Sequence, residues 1–316
     1  MTITSNSPIP SATTEFYRWR NYRCAYEYYQ PNQASDTPLV LLHPIGVGLS
    51  GWFWHRFCQQ WYQAGYSQPI YNPDLLGCGE SDMPHVAYHP TDWAQQLGYF
   101  LQTVVKKPAI IVVQGAELPV ALSLVQLPDA SNYIKGCVLS GPPSWAVMTQ
   151  ETSTLKHKLA WNLFDSPFGR LFYRYARRRQ FLRSFSSKQL FAKPEDIDEQ
   201  WLDSLKEGAA DTASRHAVFS FLAGFWRQDY QQVIASIQQP TFVVVGEEAS
   251  SISREGKLET PEQRLDYYIK YLPQGQGCQI PGRNVLPYES TADFVSVVAN
   301  WINQQKSTEF LTFHGI

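Results

Sequence analysis

The chain has 316 residues, of which 44% are apolar and 14% aromatic, while Asp, Glu, Lys and Arg together make only 17%. This is the composition of one or two globular domains and excludes a disordered chain. Twenty-six basic residues against 28 acidic ones leave a net charge of −2, which lacks the overall basic charge that nucleic-acid binding draws on. No apolar run approaches the roughly 18 residues that span a bilayer, and the opening Met1 to Pro8 has neither a basic nor an apolar leader region. A cytoplasmic protein is therefore expected. The five cysteines, Cys24, Cys58, Cys78, Cys137 and Cys278, are scattered and form no C-x-x-C pair, so neither a disulfide framework nor a zinc site is expected, and no metal or cofactor is assigned.

After a flexible tail over residues 1–15, the Tyr- and Trp-rich stretch Phe16 to Tyr29, closed by a Gln-Pro-Asn turn at Gln30 to Asn32, predicts two opening strands. Pro38 to Leu42 is a continuous apolar run, the pattern of a strand buried on both faces of a parallel sheet. Ser50 to Ala64 predicts a helix stopped by Gly65. Strand Ile70 to Asn72, helix Thr91 to Lys106 with Thr91 as N-cap, strand Ala109 to Val113, helix Pro119 to Leu127 and strand Gly136 to Ser140 follow. Residues 145–232 are helical and aromatic and interrupt the alternation. It resumes at strand Thr241 to Val245, a helix opened by the capping box Thr260-Pro261-Glu262-Gln263, strand Gly277 to Pro281 and a closing helix Thr291 to Asn303, with a tail over 304–316. Alternating strands and helices make a mostly parallel sheet with helices on both faces, whose ligand sites lie in the loops after the strands.

Those loops carry His43-Pro44-Ile45-Gly46, Asp74-Leu75-Leu76-Gly77-Cys78-Gly79-Glu80-Ser81-Asp82, Pro240 to Gly246, and Ile280-Pro281-Gly282 with Leu286-Pro287 and Glu289. Together they resemble the α/β-hydrolase fold family. Tyr17 to Tyr22 is similar to the opening of its cyanobacterial and plastid members. The resemblance implies an eight-stranded core over 16–144 and 233–303, a helical cap over 145–232, and a Ser-His-Asp triad on three loops. The nucleophile stands in G-x-S-x-G, on a turn tight enough to expose it. Here the segment reads Val113-Gln114-Gly115-Ala116-Glu117, which places Gly115 or Ala116 at that position. A register moved by two puts Glu117 there, as the carboxylate of dehalogenases and epoxide hydrolases. The acid's position falls on Ala249, with Glu248 beside it, and the histidine's on Val285, or Asn284 one residue earlier. No triad is expected.

The resemblance leaves a cleft between core and cap with His43, Ile45, Trp52, Gly115, Ala116, Glu117 and Val285 as candidate ligand-pocket residues, and Ile45 and Ala116 as backbone donors of an oxyanion-hole type. The first expectation is a pseudoenzyme that binds a hydrophobic small molecule, as plant gibberellin receptors do on this fold. The alternatives are a scaffold or assembly factor for a protein partner, and an active hydrolase or lyase using Glu117 or another group. A thiolate at Cys78 is a further candidate nucleophile, and His43 has the competing role of bracing its loop. Trp52, Phe53 and Trp54 cannot all face one core, so at least one should line the cleft or an interface. Arg170, Arg174, Arg177, Arg178, Arg179 and Arg183 form a basic aromatic segment. It is either a solvated face with partners one turn away, or a patch for an acidic protein, an anionic headgroup at a membrane surface or a phosphorylated ligand.

Overall fold

The computed structural model describes residues 10–35 and 37–314, with the backbone alone for 306–314. The expected N-terminal tail up to residue 9 lies outside the described residues. Eight strands, β1 (Thr13–Trp19), β2 (Tyr22–Tyr29), β3 (Leu39–Leu42), β4 (Ile70–Pro73), β5 (Ala109–Gln114), β6 (Ile134–Ser140), β7 (Thr241–Gly246) and β8 (Gly275–Ile280), form one sheet in the order β1-β2-β4-β3-β5-β6-β7-β8. β1, β2 and β4 pair antiparallel, and the remaining ladders are parallel. Every residue of β3, β5 and β7 is buried, which is why these strands read as unbroken apolar runs.

The opening hairpin turns at Arg20 and Asn21, both left-handed (φ 48° and 69°). That two-residue turn matches the twist of the strands it joins, and the Gln30 to Asn32 turn instead ends β2. Gly51–Trp54 forms a 3₁₀ turn that leads into α1 (His55–Gln63), which buries Phe57, Cys58, Trp61 and Tyr62. Gly65, at φ +84°, closes α1 as expected: its N–H donates to Tyr62 O, and the Tyr66 N–H donates to Trp61 O. α2 (Pro90–Phe100) starts one residue before the expected N-cap Thr91. Its N-cap is the extended His89, with Pro90 at the first helical position and Asp92 completing the capping box. α3 (Leu118–Val125) follows β5 through a 3₁₀ turn at Gly115–Glu117.

The helical insertion follows β6. It contains α4 (Thr154–Phe164), α5 (Pro167–Ala176), α6 (Arg179–Phe185), α7 (Glu199–Gly208) and α8 (Arg215–Ala223). The arginine-rich segment is thus two short helices, and its ionic partners come from α7, not from the next turn: Arg179 pairs with Glu199 and Asp203, and Arg183 with Glu199. Arg177 donates to the carbonyls of Ala209 and Ala210. The insertion is docked on the core. Arg56 pairs with Asp198, Tyr288 donates to the same carboxylate at 3.0 Å, and Trp52 packs edge-on against Trp201 at 5.4 Å.

After β7, α9 (Pro261–Tyr271) opens with the expected capping box, in which the Gln263 N–H donates to Thr260 Oγ1 and the Thr260 N–H to Gln263 Oε1. The closing helix α10 (Thr291–His314) continues past Asn303, so the segment expected as a tail from 304 is helical to 314. No Gly or Pro interrupts it before Gly315. Two apolar clusters fill the two faces of the sheet. Among the described residues no helix is long and apolar enough to cross a membrane.

Candidate functional site

The loops at the carboxyl ends of the parallel strands enclose, with the insertion, a cavity of about 440 Å³. Its lining is mostly apolar. The floor comes from Gln114 at the end of β5 and Gly115 and Ala116 after it, with Ile45 after β3 and Val285 after β8; Lys156, His157 and Ala160 of α4 and Phe221 to Gly224 at the end of α8 form the wall opposite. Gly115 is the turning point between β5 and α3, at φ +59°. A Cβ added there meets nothing nearer than the Gly141 carbonyl oxygen at 4.0 Å, so the turn needs a left-handed residue while the space above it is open.

Three of the loops are stitched by two amides. Gln114 accepts from Ser140 Oγ at 2.8 Å and donates to the Asn284 carbonyl at 2.7 Å. Asn284 in turn donates from Nδ2 to Gln189 O of the insertion and Ser250 O after β7. The sequence alone points to no role for Gln114 or for the wall serines Ser250, Ser251 and Ser253, and to Asn284 only through a slipped register. Nothing local marks them, because their partners lie far away in the chain.

Ile45, Gly115, Ala116 and Val285 line this cavity together, whereas His43, Trp52 and Glu117 do not. His43 is fully buried beneath the loop; Nδ1 lies 3.0 Å from Pro44 O and Nε2 accepts the Leu75 N–H at 3.1 Å. Burial pushes its pKa down to about 4, and a neutral ring donating from Nδ1 satisfies both contacts, so this histidine braces two loops. Trp52 donates to Gly48 O and lines a different, polar cavity between core and insertion. Glu117 is 2% exposed, with φ −83°, and lines a separate void of about 10 Å³. Its Oε2 has no hydrogen-bond partner, and burial raises its pKa to about 8. The elbow is built on Gly115, so the register that made Glu117 the reacting group fails. Ala249 is buried and turns back on Gly246 through its N–H, and its neighbour Ser250 reaches the wall.

The Asp74 to Asp82 motif is structural. Asp74 accepts the N–H groups of Gly51 and Glu80, each at 2.8 Å. A Cβ on Gly79 would lie 2.0 Å from its Oδ2. Burial raises the Asp74 pKa to about 6 despite those donors. Cys78 is buried, and burial together with the nearby Asp74 and Glu117 carboxyls pushes its thiol well above the usual range, the opposite of what a nucleophilic thiolate needs.

A profile described as the alpha/beta hydrolase family matches residues 39–296, and the chain belongs to that family. A search of curated protein sequences finds no match. Among solved structures the fold is similar to a serine hydrolase involved in carbazole degradation (17% identity, TM-score 0.70, covering 93% of this chain and 100% of that one). It is also similar to Cfl2 from Burkholderia cenocepacia (15%, 0.71, 94% and 97%). A thermophilic esterase from Thermogutta terrifontis is a third (15%, 0.67, 93% and 98%). At these identities the likeness is one of fold.

Proposed function

We propose that this protein is a non-catalytic member of the alpha/beta hydrolase family that holds a hydrophobic small molecule in the cavity between core and cap. The observation that carries the reading is Gly115. It occupies the left-handed turn on which the family's chemistry depends, and it offers no atom that can attack. The reading also rests on Ala249 and Val285 in the acid and histidine loops, and on Asn284, whose amide is spent on two carbonyls. Removing either the nucleophile or the histidine from a triad costs about a million-fold. What the floor retains is shape and apolar surface. A cavity of about 440 Å³ is of the size that takes a drug-sized molecule. A ligand burying roughly 200 Å² of apolar surface there gains about 5 kcal/mol before the cost of association.

A second reading, an active hydrolase using another group, has one observation in its favour: His157 Nε2 lies against Thr152 Oγ1 in the cavity wall. The Thr152 hydroxyl also reaches the Arg227 carbonyl at 3.3 Å. The test is titration of a naphthalene-based fluorescent probe into the wild type and into Ala160→Trp, whose indole fills the cavity from the cap side. Saturable enhancement at one site, lost in Ala160→Trp, is expected. Enhancement unchanged by that substitution would refute binding in this cavity.

A further inference from the structure

The cap carries an apolar face that no described residue covers. On α4, Leu155, Leu159 and Leu163 follow one another at a spacing of four and are 63%, 60% and 54% exposed. On α5, Phe168, Leu171 and Tyr175 keep the same helical rhythm and are 59%, 66% and 52% exposed. Large apolar side chains on soluble surfaces are normally scattered singly, so two adjacent stripes mark a contact surface. The charge around them is one-sided. Residues 154–185 contain eight Lys and Arg and one Asp, a net +7 within a chain of −2. Arg179 and Arg183 are paired with α7, and Lys156, Lys158, Arg170 and Arg174 stand among the exposed apolar residues without an acidic partner among the described residues. Lys156 on α4 and the half-exposed Leu222 on α8 also line the cavity, so the cavity opens beside this face.

We infer that the α4 and α5 face of the cap docks on an anionic lipid surface and brings the cavity mouth to the apolar phase from which its ligand enters. Exposed leucines flanked by lysine and arginine are the composition of a helix pair that lies in a membrane interface, with apolar side chains among the acyl chains and cations at the headgroups. The entry route rests on the binding reading above, but docking is measured without the cavity's ligand, so the two fail separately. The experiment is co-sedimentation of the full chain with phosphatidylcholine vesicles with and without about 30% phosphatidylserine. Binding to the anionic vesicles alone, weakened by salt, is expected. Arg170→Glu/Arg174→Glu should weaken it by about 30-fold or more, and Leu159→Glu/Leu171→Glu should abolish it. Equal partitioning to neutral vesicles, no sedimentation with either, or a wild-type dimer that Leu159→Glu/Leu171→Glu converts to monomer would each overturn the inference. Substitutions at such exposed positions leave the core untouched.

A separate observation points to a metal site. His85 in the loop after β4, Asp165 at the end of α4 and His216 on α8 place their ligand atoms within 4.8 Å of one another. His85 Nε2 lies 2.6 Å and His216 Nδ1 3.9 Å from Asp165 Oδ1, and the two imidazoles stack at 4.1 Å. His216 is 2% exposed, and its Nδ1 has no hydrogen-bond partner, an orphaned nitrogen that a cation would satisfy. We propose that this triad binds one divalent transition-metal ion of zinc's class, clipping the core loop to the two cap helices that wall the cavity. Two imidazoles and a carboxylate are such an ion's preferred ligands, and the exposed side of His85 leaves a position for water. Ligands of a tetrahedral ion at about 2.1 Å lie roughly 3.4 Å apart, a shift within reach of His85, whose side chain is 61% exposed. Calorimetric titration with Zn²⁺, with Co²⁺ absorption as a second readout, should give one equivalent without a thiolate band. His85→Ala and Asp165→Asn, both at accessible positions, should each weaken it at least about tenfold. No uptake at micromolar metal, or uptake that both variants leave unchanged, would overturn it.

Discussion

Replacing Glu117 by Gln should change how stability depends on pH, by an amount the burial of this side chain sets. The carboxyl is 2% exposed, one oxygen lacks any partner, and its pKa is raised from 4.5 to about 8. Between those two values the folded chain holds a proton that the unfolded chain has lost, so stability falls as pH rises through the window and levels off above it. At 1.36 kcal/mol per unit, the whole window amounts to about 5 kcal/mol. Other groups titrate at the edges of this window. Asp74, raised to about 6, also makes stability fall with pH until its folded-state carboxyl is ionised. His43 and His216, lowered from 6.5 to about 4, make stability rise with pH until the unfolded imidazoles have lost their protons, and the buried Cys78 thiol makes it fall as the unfolded thiol ionises at alkaline pH. The difference between wild type and Glu117→Gln from pH 6.5 to about 8.5, in which those contributions cancel, therefore isolates Glu117, with about 2 kcal/mol of loss. Urea unfolding of wild type and Glu117→Gln across that range measures it. The wild-type curve should fall relative to the variant's by that amount; parallel curves would refute the assignment of a buried, protonated carboxyl.

Two glycines should differ sharply. Gly115→Ser meets open space and incurs only the left-handed backbone cost, about 1–2 kcal/mol by denaturant titration, whereas Gly79→Ala drives a methyl into Asp74 and should cost more than about 3 kcal/mol. Similar losses at both would contradict the placement of the elbow. Arg264, 1% exposed and paired with Glu259 at 3.1 Å, should cost about 3–5 kcal/mol when changed to Met. The double variant with Glu259→Leu should regain only part, because Glu259 also accepts the Trp145 N–H; a loss under about 1 kcal/mol in Arg264→Met would show the pair to be solvated.

What the sequence made legible is what local physics controls. The runs at Leu39–Leu42 and Ala109–Gln114 declare strands buried on both faces, Gly65 declares a helix end, and Thr260 with Gln263 declares a helix start. The site was only half legible, because side-chain direction in a loop changes with each residue. Placing Gly115, Ala116 and Val285 at one cavity required only the fold, but the neighbouring Glu117 lines a void of its own. His43 and the Asp74 motif look like chemistry and are bracing, since a buried polar side chain beside exposed backbone N–H groups serves either purpose. The Gln114 to Asn284 stitch and the His85, Asp165 and His216 cluster join residues from separate elements, and no spacing rule reaches them.

An elbow built on Gly115 should leave an intact pocket without a reacting group. This is tested most directly by incubating purified protein with short- and medium-chain p-nitrophenyl esters and following alcohol release. Release at the buffer rate is expected throughout, for the wild type and for His157→Ala alike. Release clearly above that rate in the wild type would contradict it, and its loss in His157→Ala would name the group responsible.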